Sequence, residues 1–252
     1  MKNAILSTNK LCKTFSADGV QQHVLKNLDM EIYEGDFTVI MGSSGAGKST
    51  LLYALSGMDK PTLGEINFLG KNISGLSNDK LALFRRHNCG FVFQQTHLLD
   101  NMSILDNILA CGFLVSKNRK DTINRAKNIL KQLNLDEAIW SKFPSQVSGG
   151  EAQRSGIARA LINNPKIVFA DEPTGALNSA NGQAVLDALT EVNAQKQSVV
   201  MVTHDIRSAR RGNRILYFRD GVIYGECLLD EYVSNDSDRN AKLKEFLTEM
   251  GW

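Results

Sequence analysis

Gly42-Ser43-Ser44-Gly45-Ala46-Gly47-Lys48-Ser49-Thr50 lies between an apolar run, Phe37 to Met41, and the helix-forming run Leu51-Leu52-Tyr53-Ala54-Leu55. A buried strand that passes through such a loop into a helix is a phosphate cradle. Its three glycines let the backbone wrap tightly, and the inward amides join the helix N-terminus in holding anionic oxygens. In this pattern Lys48 reaches the β- and γ-phosphates, and the Ser49 hydroxyl is a ligand for magnesium. The bland alternative, a Gly-rich turn with a stray lysine, accounts for neither flanking element.

The rest of the composition is ordinary. A chain of 252 residues can bury a substantial core, and 42% hydrophobic with 22% charged residues is the balance of a water-soluble globular protein. A net charge of +2 gives no case for a general nucleic-acid or anionic-lipid surface. The cysteines Cys12, Cys89, Cys111 and Cys227 are scattered without a C-x-x-C pair, so neither a zinc site nor a disulfide framework is expected. They read as thiols in a reducing compartment. Met1 to Leu6 has no signal-peptide character and no run approaches a membrane span. The expected location is cytoplasmic, with any membrane association made through a partner.

Outward from the loop, residues 5 to 15 and 24 to 33 alternate loosely around the polar turn Ser16-Ala17-Asp18-Gly19 and are expected to pair as antiparallel strands. A helix over 48–57 ends at Gly57, and Lys60-Pro61-Thr62-Leu63-Gly64 turns into a short strand from Glu65 to Leu69. Another strand, Gly90 to Phe93, ends at Gln94-Gln95. From about 95 to 160 the apolar spacing is helical, as in Ile104, Leu105, Ile108 and Leu109, and then in Ile123, Ala126, Ile129, Leu130 and Leu133. Strands return at Lys166 to Ala170, Ser198 to Val202, Ile215 to Phe218 and Val222 to Tyr224, the last two around the hairpin signal Asp220-Gly221. Helices over about 178–196 and 205–211 lie between them. Such alternation implies an α/β fold with a largely parallel sheet and helices on its faces. Asp238 to Met250 reads as an amphipathic surface helix. Arg207, Arg210, Arg211 and Arg214, and also Arg85 and Arg86, read as solvated helix faces, with docking as the minor alternative.

Two further stretches carry chemistry. Ile167-Val168-Phe169-Ala170-Asp171-Glu172 is an apolar strand ending in two carboxylates. Beside a phosphate loop, Asp171 suits the acidic partner that magnesium needs in addition to Ser49. Glu172 is then the carboxylate that orients or deprotonates an attacking water. Val147-Ser148-Gly149-Gly150-Glu151 precedes a helix-forming run, so Ser148 is an N-cap and the glycines open a second anion site at a helix N-terminus.

In combination, a phosphate loop, a glutamine after a strand, S-G-G-[QE] before a helix, a strand ending in Asp-Glu and a later histidine resemble the ATP-binding-cassette ATPases over about residues 5 to 225. The resemblance implies an α/β P-loop NTPase of that type, with a mixed sheet core, an N-terminal antiparallel β part and an inserted helical subdomain. Over 1–252 it gives one ATPase domain: a RecA-like core at about 1–94 and 161–227, a helical subdomain at about 95–160 and a helical tail at about 228–252. Gly42 to Thr50 and Phe15, Gln94, Ser148, Gly149, Gly150, Asp171 and His204 would bind ATP. Phe15 matches the aromatic that stacks on adenine, the alternative being a core aromatic. Gln94 resembles the glutamine that touches magnesium and the attacking water, so that Ser49, Gln94 and Asp171 form the metal set. His204, in Val202-Thr203-His204-Asp205, resembles the histidine that bonds the γ-phosphate and supports Glu172. Lys48, Gln94, Glu172 and His204 are thus the catalytic set. Ser148 and Gly150 resemble the loop that closes over the γ-phosphate of an opposite subunit, which implies a homodimer with shared sites.

Glu172-Pro173-Thr174-Gly175-Ala176-Leu177 narrows the resemblance to the ATPases of macrolide-exporter, lipoprotein-release, cell-division and bacitracin-type antimicrobial-peptide-detoxification systems. Ala176 and the tail lean toward the exporter and peptide-detoxification branch. The implied protein is a motor that drives an integral-membrane permease from the inner face of the cell membrane, with the permease expected to dock around Gln95 to Ile108. Rival readings are a lipoprotein-release or cell-division ATPase and an ABC ATPase acting on nucleic acid or ribosomes. The last would call for a long coiled coil between Lys48 and Ser148, or for a second cassette, and the sequence has neither. No nucleic-acid partner is expected. A scaffold with little turnover is disfavoured by the complete set Lys48, Ser49, Gln94, Asp171, Glu172 and His204.

Glu151 stands where the family most often has glutamine and is expected to point away from a γ-phosphate that would repel it. Asn178 stands where it usually has aspartate, keeping an acceptor but losing the charge. The hypothesis is that the contact between subunits survives with altered coupling. Asn178→Asp is therefore expected to change the ATPase rate and ATP-driven dimerisation by sedimentation, and unchanged values in both would make the position merely structural.

Overall fold

The computed structural model describes residues 2–17, 19–234 and 236–252. Asp18, which the sequence reading places in the first hairpin turn, lies outside them. The chain forms two compact units, Met1–Leu81 with Lys196–Trp252, and Ala82–Gln195.

The first unit begins with two long antiparallel strands, β1 (Ala4–Ala17) and β2 (Val20–Tyr33), followed by β3 (Phe37–Met41). Every residue of β3 is buried, which is why its sequence runs apolar without alternation. Gly47, at φ 100°, caps α1 (Lys48–Leu55), whose Leu51, Leu52, Ala54 and Leu55 are completely buried. Then come β4 (Leu63–Phe68), β5 (Lys71–Asn72) and α2 (Asn78–Asn88), which in sequence crosses into the second unit. Strands in the order β2-β1-β4-β5 make an antiparallel sheet. Helix α2 goes beyond the sequence reading. Only its Leu81 is buried, so no apolar stripe announces it.

The second unit holds the parallel pair β6 (Cys89–Val92) and β7 (Ile167–Asp171), joined by helices. These are α3 (Ile104–Gly112), α4 (Arg119–Gln132), the short α5 (Glu137–Trp140) and α6 (Gly149–Leu161), with a single 3-10 turn at Pro144–Gln146; α7 (Ser179–Ala194) follows β7. Helix α6 lies directly on β6. A Cβ built at Gly90 would stand 2.6 Å from the Ala160 carbonyl oxygen, so that the close approach requires glycine.

The chain returns to the first unit with β8 (Ser198–Thr203), α8 (Ile206–Ala209), β9 (Arg214–Arg219) and β10 (Val222–Leu228). Strand β3 runs parallel to both β8 and β9, and β10 is antiparallel to β9, giving a mixed sheet. The β9–β10 turn is carried by Asp220 and Gly221 at φ 53° and 88°, the two positive values that a type I′ hairpin needs. The fold is therefore α/β, with an antiparallel N-terminal sheet and a mixed sheet clothed by helices.

Helix α9 (Ser237–Glu249) closes the first unit, burying Leu243, Phe246 and Leu247. A Cβ at Gly225 on β10 would come within 2.5 Å of the Met250 sulfur, and Trp252 meets Tyr217 edge-on at 6.2 Å.

Here one expectation fails. Arg211 and Arg214 are buried, at 4% and 5% exposure, and do not lie on solvated helix faces. Arg214 belongs to β9, where its Nε donates to Glu226 at 2.6 Å and its guanidinium lies 4.8 Å from the Tyr33 ring centre. Arg211 stacks over Tyr232 at 4.3 Å. Planar guanidinium pairs well with both carboxylate and aromatic partners, which offsets the cost of leaving water. Arg239 of α9 is likewise buried, and donates to the carbonyls of Arg210, Gly212 and Asp230. Burial pulls its pKa below the ordinary arginine value. Arg239→Met keeps the bulk and orphans those three carbonyls, so it should cost about 2–4 kcal/mol of stability, read as a lowered urea midpoint with the slope unchanged.

Candidate nucleotide site

In the first unit the phosphate loop is shaped by its neighbours. A Cβ at Gly42 would stand 2.2 Å from the Phe218 carbonyl oxygen on β9, and one at Gly47 would stand 2.4 Å from a Val24 methyl on β2. Backbone at Gly42 and backbone at φ 100° at Gly47 are thus pressed into place by both sheets. Lys48 is 5% exposed, and its ammonium donates to the Gly42 and Ser43 carbonyls at 2.8 Å each. Ser43, Ser44 and Gly45 are exposed, and Ala46, Ser49 and Thr50 are partly so.

Two other predicted residues lie in this unit. Phe15 sits on β1 opposite Gln22 and is 44% exposed, so it is not a core aromatic. His204 is exposed and directly follows β8. The turn it occupies is fixed on both sides: Thr203 Oγ1 accepts from the Asp205 N–H at 3.0 Å, and the Asp205 carboxylate caps α8 by accepting from Arg207 N–H at 3.2 Å and Ser208 N–H at 3.0 Å.

In the second unit, β7 ends in Asp171, 8% exposed, and Glu172, partly exposed. Glu172 takes φ 42°, a left-handed backbone uncommon outside glycine, which swings the chain sharply out of the strand. The next turn closes with the Gly175 N–H donating to the Glu172 carbonyl at 3.0 Å. Gln94 lies against that turn, since a Cβ at Gly175 would stand 2.8 Å from its side-chain nitrogen.

The second glycine loop opens α6. Ser148 accepts from the Glu151 N–H at 3.3 Å, while the Glu151 carboxylate accepts from the Ser148 N–H at 2.7 Å, a capping box. That backbone donor holds the Glu151 pKa below the usual carboxylate range. Glu151, expected to point away from an anion, is turned back onto its own helix cap. Gly150 is buried on α7, where a Cβ would meet Asn181 at 2.8 Å. Asn178 is the N-cap of α7, accepting from the Asn181 N–H at 2.9 Å.

Two residues that the sequence reading passed over hold the backbone on both sides of Gln94. Gln153 of α6, 2% exposed, donates to the Phe93 carbonyl at 2.7 Å. Arg159 of the same helix donates to the carbonyls of Thr96 and His97 at 2.6 Å each, and burial lowers its pKa. The available signal is weak, because Gln153 and Arg159 share the helix with Arg154 and nothing in the sequence sets them apart from it. Nothing local in the sequence points to the carbonyls they serve.

The first unit therefore carries a strand–loop–helix anion cradle, and the second carries strand-end carboxylates and a capped glycine turn; each is equipment of a nucleotide-hydrolysing protein. The sequence profile described as "ABC transporter" matches residues 25–175, and the chain belongs to that family. It is an ATP-binding, ATP-hydrolysing motor subunit of an ABC transporter. It is 40% identical over 225 residues to the lipoprotein-releasing system ATP-binding protein LolD of Wigglesworthia glossinidia brevipalpis, an overlap of 89% of this chain and 98% of that one. It is 38% identical over 223 residues, 88% of this chain, to the macrolide export ATP-binding/permease protein MacB of Wolinella succinogenes, of whose length the match spans only 34%. The dimeric ATP-binding cassette MJ0796, in a post-hydrolysis state bound to ADP and Pi, is similar over 90% of this chain and all of its own, at 38% identity and a TM-score of 0.83.

Because the Phe218 oxygen is backbone and cannot swing aside, Gly42→Ala should distort the loop. The expected result is loss of ATP binding by calorimetry, at least about a hundredfold for a loop that loses its shape, with an unchanged far-UV circular dichroism spectrum.

Proposed function

We propose that the chain pairs with a second copy, binds MgATP in sites completed across the pair, and drives an integral-membrane permease. The observation that carries the catalytic part is the end of β7, where buried Asp171 is followed by Glu172 in left-handed backbone with Gln94 against the ensuing turn. Left-handed geometry at a non-glycine residue persists where the surroundings enforce it, and such positions gather at functional sites.

The chain's chemistry suits ATP and magnesium. Gly42 and Gly47 let the loop backbone press against Phe218 and Val24, where any side chain would intrude, and Lys48 brings a charge into the loop. Ser49, Gln94 and Asp171 supply the hard oxygen ligands. No cluster of three or more His, Cys, Asp or Glu able to hold a metal exists among the described residues, which suits an ion that takes much of its coordination from phosphates and water. When bound, magnesium neutralises charge on the β- and γ-phosphates. Glu172 orients the attacking water and takes its proton, and His204 bonds the γ-phosphate and supports Glu172. Phe15 stacks on adenine.

The Ser148-Gly149-Gly150 turn covers the γ-phosphate held by the partner copy, using first-turn amides and the helix dipole. The dimeric form of MJ0796 supports this pairing. Functionally, 1–94 and 161–227 act as the nucleotide-binding core, 95–160 as the helical subdomain and 228–252 as the tail. No helix among the described residues is long and apolar enough to cross a membrane, so attachment to the inner face of the cell membrane is assigned to the permease, docked near Gln95 to Ile108. Antimicrobial-peptide resistance, or peptide and lipid export, is the preferred work of the complex, on the strength of Ala176 and the tail. Similarity to LolD and MacB supports lipoprotein release or macrolide export as the alternatives.

Glu172→Gln should bind MgATP, lose nearly all turnover and accumulate as an ATP-bound dimer in size-exclusion chromatography. Turnover at the wild-type rate in that variant would sink the base assignment. Purification of the chain from membranes with its permease, identified by mass spectrometry, decides between the branches.

A further inference from the structure

We propose that Lys13 is a positioning residue for the nucleotide base, acting through Phe15. This rests on the reading of Phe15 as the adenine platform and adds what makes that platform effective. Lys13 and Phe15 stand two residues apart on β1 and so share one face of the sheet. The Lys13 ammonium lies 4.9 Å from the centre of the Phe15 ring, within cation–π range.

The ammonium is anchored there. It donates to Asp59 Oδ1 at 2.7 Å and to the Lys60 carbonyl at 2.8 Å, which occupies two of its three donors and leaves the third for the ring. Its side chain is only 12% exposed, whereas Phe15 is 44% exposed. A ring covered by a cation on one face and open elsewhere is arranged to accept a second flat group on the free face.

The acceptors that hold Lys13 also tie the platform to the phosphate loop's own helix. The Asp59 N–H donates to the Tyr53 carbonyl of α1 at 3.1 Å, and the Thr62 N–H donates to the Cys12 carbonyl at 2.8 Å. Between Lys13 and Phe15, the Thr14 N–H donates to the Thr62 hydroxyl at 3.0 Å. Residues 12–15 are thus laced to 59–62, a few positions beyond the helix that Gly47 caps. The distance between base platform and phosphate cradle is set by these bonds.

The chemistry follows from the ring's quadrupole. Both faces of phenylalanine are electron-rich, which opposes face-to-face stacking with another π system. A cation on one face draws electron density toward itself and weakens that repulsion on the other face. The bound lysine also holds the ring in one orientation, so less freedom is lost when the base stacks. An ordinary exposed ion pair with Asp59 would do neither, and is worth little by itself.

The full chain and its variants are compared by calorimetric titration with ATP and with inorganic tripolyphosphate, which has no base. Lys13→Met should weaken ATP binding about threefold to tenfold. It should leave tripolyphosphate affinity unchanged, and Lys13→Arg should restore most of the loss. In a Phe15→Leu background Lys13→Met should have no further effect on ATP. Asp59→Asn, which keeps an acceptor, should retain most of the affinity, and thermal melts of each variant report its folding. Equal weakening of tripolyphosphate, an undiminished effect in the Phe15→Leu background, or full reproduction of the loss by Asp59→Asn would each overturn the inference while Phe15 kept its role. If Phe15→Leu alone leaves ATP affinity unchanged, the adenine-platform reading fails and the inference falls with it.

Discussion

The carbonyl of Phe218 and a methyl of Val24 leave the phosphate loop no room for a side chain at Gly42 or Gly47. Much of the first unit can be understood from that crowding. Phe218 belongs to β9, which runs parallel to β3 with Met41 opposite Tyr217, so the sheet register brings its oxygen to the loop. Val24 belongs to β2 of the antiparallel sheet, and the Lys26 N–H of that strand donates to the Gly221 carbonyl at 3.0 Å. Two sheets of different construction therefore share the task of moulding one turn. The motif supplies a backbone able to take the shape, and the sheets impose it.

The elements easiest to foresee were those whose environment is uniform along their length. Phe37–Met41 and Ile167–Asp171 are buried at every position and read as continuous apolar runs. Asp220-Gly221 names its own turn, because few other dipeptides tolerate two positive φ values. Helix α2 was hidden for the opposite reason, having one buried residue to mark a face. The arginines misled because a charge run usually means solvent, while the groups that pull Arg214 inward, Glu226 and the Tyr33 ring, come from other strands. The site divides in the same way. A loop between strand and helix is legible from its neighbours in sequence, but Val24 and Phe218 look like any apolar strand residues, and the role of Gln153 depends on a carbonyl at Phe93.

Backbone carbonyls in loops and at helix ends recur as the destination of long polar side chains. Arg239 gathers three of them in the first unit. In the second, Arg159 gathers two beside Gln94, and Arg125 takes those of Leu161 and Ile162 at the end of α6. A forked, permanently charged donor can satisfy acceptors that no ladder reaches. Segments without secondary structure thereby gain fixed partners, which matters in a motor whose loops must present amides and carboxylates to a nucleotide at fixed places.

Moulding by Phe218 also sets an order of events in time. At the ribosome's pace of about 5–20 residues per second, Phe218 is synthesised roughly ten to thirty-five seconds after Gly42. Through that interval the nascent loop has its glycines but not the strand that presses them into shape. A chain still being made carries the nucleotide motif well before it carries the nucleotide site.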